Sequence, residues 1–346
     1  MLSLESAAVI RATLPVVGEA LDEITARFYG TMFAEQPELL DGLFNRGNQA
    51  SGEQRKALAG SIAAFAQALL ADPDARPHAL LSRIAHKHAA LGVTEDQYAI
   101  VHKYLFRAIG EVLGDAVTAE VASAWDEVYW LTADALVAQE TRLYQEAKVD
   151  PRRPLSNAPG DRLRRITVKR VASVAGAPEG EVSGQLHRTV RAGGELTLSA
   201  PFGDVVLDDT DTPLVLVSAG IGCTPMVAML EHLAATGSAR PVLVLHADRA
   251  PADHALRADT RRLVAQLREA RAEFWYEQDA AEEAGARTGL MDPDGLDLPA
   301  DADVYLCGAL PFMRAVRAHL LQAGIPAHRI RYEVFGPDLW LAHAEG

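Results

Sequence analysis

The sequence predicts a multidomain protein: an all-helical part, a short antiparallel β-rich segment, and a doubly wound α/β part. Three observations predict this order. Apolar residues recur every three or four positions through 1–148, strand-like alternation follows, and from about residue 212 apolar strands alternate with amphipathic helices. A chain of 346 residues has room for two or three domains. We place the boundaries at 1–148, 149–208 and 209–346.

The helical part opens with one apolar stripe that runs from Ile10 to Met32. Pro15 lies early in that stripe and predicts a helix boundary or a kink, because proline cannot donate the next helical hydrogen bond. Further helices are expected at about Leu58–Leu70, His78–Ala90, Thr94–Leu113 and Ala119–Glu146. No convincing strand interrupts them.

Residues 149–163 contain three prolines and mark a boundary. Arg165–Arg170 and Glu195–Ser199 then alternate as strands do. The last part predicts strands at 213–218, 241–247, 273–278, 303–308 and 329–336, with helices at 225–235, 253–271 and 311–324. Near-continuous apolar strands joined by helices predict a parallel sheet covered on both faces.

The composition argues against several classes of protein. A net charge of -14 disfavours non-specific binding to nucleic acid or to anionic membranes. Two cysteines cannot build a disulfide framework or a CxxC metal site, which fits a reducing cytoplasm. The first residues lack the pattern of a signal peptide. The uncharged run Thr212–Leu230 is long enough for a membrane span, but two prolines and two glycines break it, and a strand, turn and helix explain it better.

A haem in a helical domain needs an imidazole on an apolar face. His88 shares a helical stripe with Leu81, Ile84 and Leu91, whereas His86 lies off that stripe. His88 is therefore the candidate axial ligand, although a histidine on an apolar face is more often only packed there.

Two later residues could orient the other ring nitrogen of His88. They are Tyr98 and Glu140, which taken separately read as a helix aromatic and a solvated charge. On the opposite side, Tyr29 and Gln54 could donate hydrogen bonds to bound dioxygen. Phe44 and Leu58 could pack against the haem ring. Phe44 and Leu58 could equally be ordinary core residues.

Two turns of the last part could bind a nucleotide. The run GIGCTPM (220–226) joins a strand to a helix, so its glycines and the free N–H groups of the helix could approach a pyrophosphate, or it could be a purely structural turn. Cys307-Gly308 ends a later strand before Pro311, where parallel strands line a ligand crevice. Asp248 and Arg249 follow the second strand and favour NADH and NADPH respectively, which leaves the choice open.

Together the stretches RFYGTMF (27–33), LFNRGNQASGEQRKAL (43–58) and RIAHKHAALGVTEDQY (83–98) strongly resemble the globin domain of bacterial flavohaemoglobins. The resemblance implies a globin fold that binds haem b, with His88 as the proximal ligand. It implies a distal pocket of Tyr29, Gln54 and Leu58, and a hydrogen-bonding relay of Tyr98 and Glu140. Lys87 matches a lysine between haem and flavin.

From about residue 155 to 337 the chain resembles the ferredoxin-reductase-like half of the same family. CGALPFM is similar to the family's CGPxxFM, with Ala309 in place of a proline. The resemblance implies that NAD(P)H is bound by Gly220, Ile221, Gly222, Cys223, Thr224, Pro225, Cys307 and Gly308. It also implies that Phe335, with Gly336 and Pro337, lies against the flavin ring, although Phe335 could be a core residue.

The first half of the FAD-binding barrel is missing by comparison with the family. Pro151-Arg152-Arg153-Pro154 stands where the family has RxYS, and the strands that precede that motif are absent. Lys169, Val182 and Ser183 match residues that approach the flavin phosphates, although Ser183 also fits a turn. We therefore expect weakened or lost affinity for FAD.

Two functions follow from the resemblance. The first is a nitric oxide dioxygenase, which converts nitric oxide, dioxygen and NAD(P)H to nitrate, with electrons passing through FAD to haem. The alternative is a haem globin that binds dioxygen or nitric oxide beside an impaired, flavin-deficient reductase. A third reading, a plain NAD-binding oxidoreductase with a helical partner domain, requires that no haem be bound. We expect a cytoplasmic monomer with no nucleic-acid partner and no membrane span.

Overall fold

The computed structural model describes residues 1–39, 52–72, 78–150, 166–173, 179–196, 198–294, 296 and 298–336. These residues divide into two compact units, one ending at Asp204 and the other beginning at Val205. The predicted division at residues 148 and 208 stays a prediction. None of the helices in the described ranges combines the length and the hydropathy that crossing a bilayer requires.

Long helices build the first unit. They are α1 (Leu4–Glu35), α2 (Glu53–Ala71), α3 (His78–Leu91), α4 (Glu95–Leu113), α5 (Ala119–Ala147) and the short α6 (Glu181–Thr189). Each long helix begins or ends within a few residues of its predicted bound, because amphipathic periodicity is a local property of the sequence. Thr94 and Gln97 form a capping box that fixes the start of α4.

Helix α1 continues through Pro15 without a break, so the predicted boundary there is wrong. The proline removes one helical hydrogen bond. Apolar side chains on both sides of it are buried in the same core, with Ile10 fully buried and Val17 nearly so. Burial of this stripe outweighs the single lost bond. Helix α1 packs against α2, α4 and α5, and α3 packs against α5.

The predicted antiparallel strands are wrong for the residues that the structure describes. Residues 166–170 form no strand, nor do residues 195, 196, 198 and 199. Residues 181–189, where no strand was predicted, form a helix. A strand is stable only beside partners, and two isolated strands are marginal in water. The strands that would pair with these segments in the family are missing from the sequence, which explains the difference.

A parallel sheet with the strand order β4-β3-β2-β1-β5-β6 forms the second unit. Its strands are β1 (Leu214–Ala219), β2 (Val242–Asp248), β3 (Ala270–Tyr276), β4 (Arg287–Thr288), β5 (Asp303–Cys307) and β6 (Ile330–Glu333). Its helices are α7 (Cys223–Thr236), α8 (Arg257–Gln266) and α9 (Leu310–Gln322). The doubly wound prediction is confirmed, whereas α8 is much shorter than 253–271.

The amino-terminal edge of this sheet is closed by a buried ion pair. The guanidinium of Arg240 donates to Asp303 at 2.7 Å and to the hydroxyl of Thr212 at 3.1 Å. Its side chain is fully buried, so the pair satisfies a charge that would otherwise be costly. The glycine turns lie at the opposite end of the sheet, where the parallel strands have their carboxyl ends.

Candidate functional site in the helical unit and at the sheet edge

His88 lies near the end of α3, on the face that carries Leu81 and Ala85 into the core. Its side chain keeps one third of its surface exposed. The ring of His88 is thus attached to a buried helix face, and part of its surface remains accessible. A ligand-binding imidazole needs this combination of support and access.

Two oxygen atoms meet Nδ1 of His88. Glu140 Oε1 lies 2.8 Å away and the hydroxyl of Tyr98 lies 3.0 Å away. Tyr98 donates its only hydroxyl hydrogen to Glu140 at 2.6 Å, so towards His88 both oxygens are acceptors. Nδ1 therefore carries a proton, and in the neutral ring Nε2 carries the lone pair. Within the described ranges Nε2 of His88 makes no hydrogen bond. An imidazole whose Nδ1 is hydrogen-bonded and whose Nε2 is unbonded fits the role of a haem-iron ligand.

Both partners of His88 are buried, which excludes the reading of Glu140 as a solvated charge. Glu140 is 2% exposed and Tyr98 is 8% exposed. Burial raises the pKa of Tyr98 far above its usual value, and the charge and hydrogen bond of Glu140 raise it further. The phenol stays protonated and remains a donor to the carboxylate at any ordinary pH.

Tyr29 and Gln54 form a second pair, which joins α1 to α2. The side chains of these two residues are hydrogen-bonded, and Tyr29 also stacks against Phe33 with ring centroids 5.5 Å apart. Burial raises the pKa of Tyr29, and the bond to Gln54 lowers it by less. Leu58 packs against the same core, whereas Phe44 lies outside the described residues.

The turn 200–204 contacts α3 close to His88, which the sequence did not predict. The backbone N–H of Gly203 donates to Nδ1 of His86 at 3.1 Å. Phe202 meets the ring of Tyr144 edge-on at 5.8 Å, and Asp204 pairs with Arg83 at 3.7 Å. The pKa of His86 is lowered by burial. Lys87, between the two histidines, is partly buried on the same helix.

At the carboxyl edge of the sheet, the two predicted nucleotide turns touch each other. A Cβ on Gly222 would come within 2.3 Å of the carbonyl oxygen of Cys307, so only glycine fits there. Gly220 has a φ of 53°, which also favours glycine. A Cβ on Gly308 would meet Phe312 at 2.9 Å. The structure thus brings the GIG turn and the Cys307-Gly308 turn together.

The other predicted nucleotide residues lie in these turns or directly after them. Burial raises the pKa of Cys223 to about 11 and that of Cys307 to about 12, so both thiols are unreactive. Thr224 donates to the carbonyl of Ile221 at 3.1 Å and holds the start of α7. Pro225 lies in the first turn of that helix, where the N–H group that proline lacks is not used by the helix.

The residues predicted to lie against the flavin ring follow the last strand. Phe335 is 55% exposed, which excludes a core role, and Gly336 follows with a φ of 121°. Pro337 lies outside the described residues.

The residues predicted to contact flavin phosphates lie on α6 and in the irregular segment before it. Val182 is 70% exposed on α6, and Lys169 is exposed in an irregular segment. The hydroxyl of Ser183 accepts from the N–H of Val171 at 3.2 Å and lies 3.2 Å from the carbonyl of Gly180. It stabilises the turn before α6, as the turn interpretation expected. Residues 151–154 lie outside the described part of the chain.

Known proteins match both units. A family model described as Globin matches residues 26–136, and one described as Oxidoreductase NAD-binding domain matches residues 216–318. A flavohemoprotein of Chromobacterium violaceum is 36% identical and one of Bordetella pertussis is 38% identical. The alignments cover 97% of this chain and 98% and 99% of those proteins. The chain belongs to the flavohemoprotein family.

One solved flavohemoglobin shares the fold of the chain. It comes from Malassezia yamatoensis, contains bound FAD and heme, and is 36% identical with a TM-score of 0.83. The match covers 97% of this chain and 100% of that one. The alignments with the two bacterial flavohemoproteins span 402 and 406 positions, whereas this chain has 346 residues. These relatives therefore contain segments without a counterpart here.

Proposed function

We propose that this flavohemoprotein is a nitric oxide dioxygenase, which converts nitric oxide and dioxygen to nitrate at a haem with NAD(P)H as the electron source. The observation that carries the proposal is the hydrogen-bonded set of His88, Tyr98 and Glu140. A protein that only stores dioxygen has no need of a buried carboxylate behind its axial imidazole. Such a carboxylate increases electron donation by the ring and favours oxygen activation.

On the proximal side, Nε2 of His88 would ligate the iron. Glu140 accepts the Nδ1 proton, fixes the tautomer and keeps the ring electron-rich. Tyr98 donates to the same oxygen of Glu140 and holds the carboxylate in place. When bound, haem supplies the iron at which dioxygen becomes reactive towards nitric oxide.

On the distal side, Tyr29 would donate a hydrogen bond to the reacting ligand. Its raised pKa keeps the phenol protonated, and its bond to Gln54 fixes the orientation of the hydroxyl. Leu58 would pack beside them. Phe44 is retained as a predicted haem contact on the resemblance alone.

In the second unit, the Gly220–Gly222 turn and the first N–H groups of α7 would bind the nucleotide pyrophosphate. The turn at Cys307 and Gly308 packs against them and would line the same crevice. The Malassezia flavohemoglobin contains FAD. The flavin contacts of Lys87, Lys169, Val182, Ser183 and Phe335 stay predictions, and a flavin, when bound, would carry electrons from the nucleotide to the haem.

A second candidate function is a haem globin that binds dioxygen or nitric oxide without its own electron supply. The observation that favours it is that residues 166–170, where the sequence predicts a strand of the flavin barrel, form no strand. In either case we propose a monomeric protein of the cytoplasm.

The test is a turnover assay on the purified full chain loaded with haem. Nitric oxide, dioxygen and NADH or NADPH are supplied with and without added FAD, and nitrate is measured together with the Soret and flavin absorbance. Nitrate formed in step with nucleotide oxidation supports the dioxygenase. Nitrate formed only when a chemical reductant replaces the nucleotide supports the second candidate. The absence of a Soret band contradicts both.

A further inference from the structure

A cluster of aromatic rings lies between α4 and α5, apart from the residues that the proposed function uses. The ring of His102 stacks against the indole of Trp130, with centroids 5.2 Å apart and 27° between the planes. His102 also stacks against Phe106 at 4.3 Å. Tyr129 meets the rings of His102 and Trp130 edge-on, at 5.0 Å and 5.3 Å. These four rings from two helices form one continuous aromatic cluster.

One end of the aromatic cluster reaches solvent. Trp130 is 36% exposed, although burial of so large an apolar ring is strongly favourable. The carboxylate of Asp126 lies 2.6 Å from Nε2 of His102 and holds that ring against the indole. The indole is thus presented at the surface in a fixed orientation, where a small planar molecule in solution can contact it.

The other end of the aromatic cluster contacts the residues behind the proposed iron ligand. The hydroxyl of Tyr129 donates to the backbone carbonyl of Tyr98 at 2.6 Å. The ring of Tyr98 lies edge-on to that of His88, with centroids 6.1 Å apart, and its hydroxyl lies 3.0 Å from Nδ1. An unbroken series of ring contacts and hydrogen bonds therefore leads from His88 through two tyrosines to the exposed Trp130.

The side chains along this route differ in how they can lose an electron. A phenol that is oxidised near neutral pH must also lose its proton, so it needs a base beside its hydroxyl. Tyr98 already donates to the carboxylate of Glu140 at 2.6 Å, and its proton can move along that bond and return. Tyr129 donates only to a carbonyl, which is not a base, so it serves as a bridge. An indole can lose an electron first and release its N–H proton afterwards.

We propose that Trp130 is a site of one-electron oxidation at the protein surface, connected to the haem through Tyr98 and Tyr129. Hydrogen peroxide takes two electrons from the haem and two protons from solvent, and leaves as two molecules of water. One electron returns to the haem from Trp130, which releases its N–H proton to solvent. A phenol in solution then gives the indole radical one electron and one proton. Repetition with a second phenol restores the haem.

Each peroxide therefore removes one hydrogen atom from each of two phenols. The electron-rich imidazole of His88 assists the first step, because electron donation to the iron favours cleavage of the oxygen–oxygen bond. The proposal presupposes the haem at His88 that the proposed function requires, but it does not depend on nitrate formation or on the nucleotide.

The experiment follows the radical itself. The haem-loaded full chain is mixed with hydrogen peroxide, frozen rapidly and examined by electron paramagnetic resonance. A parallel sample is treated with a nitroso spin trap, digested and analysed by mass spectrometry. We expect a tryptophan radical signal and a trap adduct on the peptide that contains Trp130. In Trp130→Phe both should be lost and oxidation of an added phenol should slow at least tenfold, whereas the first change of the Soret band should keep its rate.

Two further variants test the route and the choice of indole. Trp125→Phe is the matched control, because Trp125 lies on the same helix but is buried and donates to Thr13 on α1. Its radical signal should equal that of the unmodified chain. Tyr129→Phe keeps the ring but removes the hydroxyl that bonds to Tyr98, so the Trp130 radical should form at least threefold more slowly.

Haem content, measured by Soret absorbance per chain, separates the outcomes. With haem bound, a radical signal that is unchanged in Trp130→Phe, or lost equally in Trp125→Phe, overturns the oxidation site alone. An adduct on Trp130 that forms equally in the chain without haem also overturns it, because free peroxide chemistry then explains the adduct. Failure of the unmodified chain to bind haem overturns the oxidation site together with the proposed function.

Discussion

The haem-side residues and the flavin-side residues of this chain behave differently in the structure. Tyr98 and Glu140 are buried and bonded to His88, and Tyr29 is bonded to Gln54. Lys169 and Val182 are exposed, and the hydroxyl of Ser183 is engaged by the backbone of its own turn. Both sets matched the family by sequence.

The difference shows that a cofactor residue has its role only within a framework that encloses the cofactor. The long helices α1 to α5 pack around one core and bring together residues that lie far apart in the sequence. The segment after residue 165 lacks the strands that would pair with it in the family, so its matching residues adopt local contacts instead. Three predictions test this contrast, from the largest expected effect to the smallest.

The largest effect is expected for His88→Ala, which removes the proposed iron ligand. The purified variant should retain less than a tenth of the haem of the unmodified chain, measured by Soret absorbance per chain. His86→Ala is the matched control, since His86 lies on the same helix and bonds to the turn at Gly203. Equal loss of haem in both variants would mean that packing of α3, rather than ligation, explains the result.

A smaller effect is expected for Glu140→Gln, which keeps an acceptor for Nδ1 of His88 but removes the charge. Activity in nitrate formation should fall by about 10- to 100-fold, as for other residues that orient metal ligands. The iron–histidine stretching frequency in resonance Raman spectra should fall as well, and Glu140→Asp should recover part of it. Glu127→Gln, on the same helix but bonded to Ser3 at the surface, is the control. An unchanged frequency would assign Glu140 a purely structural role.

The smallest effect is expected for Ser183→Ala. Its hydroxyl holds a turn rather than a flavin, so the free energy of unfolding should change by no more than about 1 kcal/mol. Affinity for added FAD, measured by quenching of flavin fluorescence, should be the same as in the unmodified chain. Thr189→Ala, which removes a hydroxyl bonded to Gln185 on the same helix, is the matched variant. A several-fold loss of FAD affinity specific to Ser183→Ala would restore the flavin role.

Local periodicity predicted most of the elements but not their interruptions. Five strands of the sheet and the helices α2 to α5 lie close to their predicted positions because burial patterns repeat between neighbouring residues, whereas the two-residue strand β4 was not predicted. Pro15 shows the limit: its local effect predicts a break, whereas packing along α1 keeps the helix continuous. The segments 165–170 and 195–199 show the converse, since an alternating pattern cannot form a strand without a partner.

By itself, the sequence determined the succession of a helical part and a doubly wound part, the imidazole at position 88, and the glycines at 220 and 222. Only the tertiary structure decided which atoms meet. It set the hydrogen bond between Nδ1 of His88 and Glu140, 52 residues later, a pair that the family resemblance predicted but that no local pattern could. Neighbouring residues encode a period, whereas contacts between distant residues depend on how whole helices and strands pack, and no local pattern contains that information.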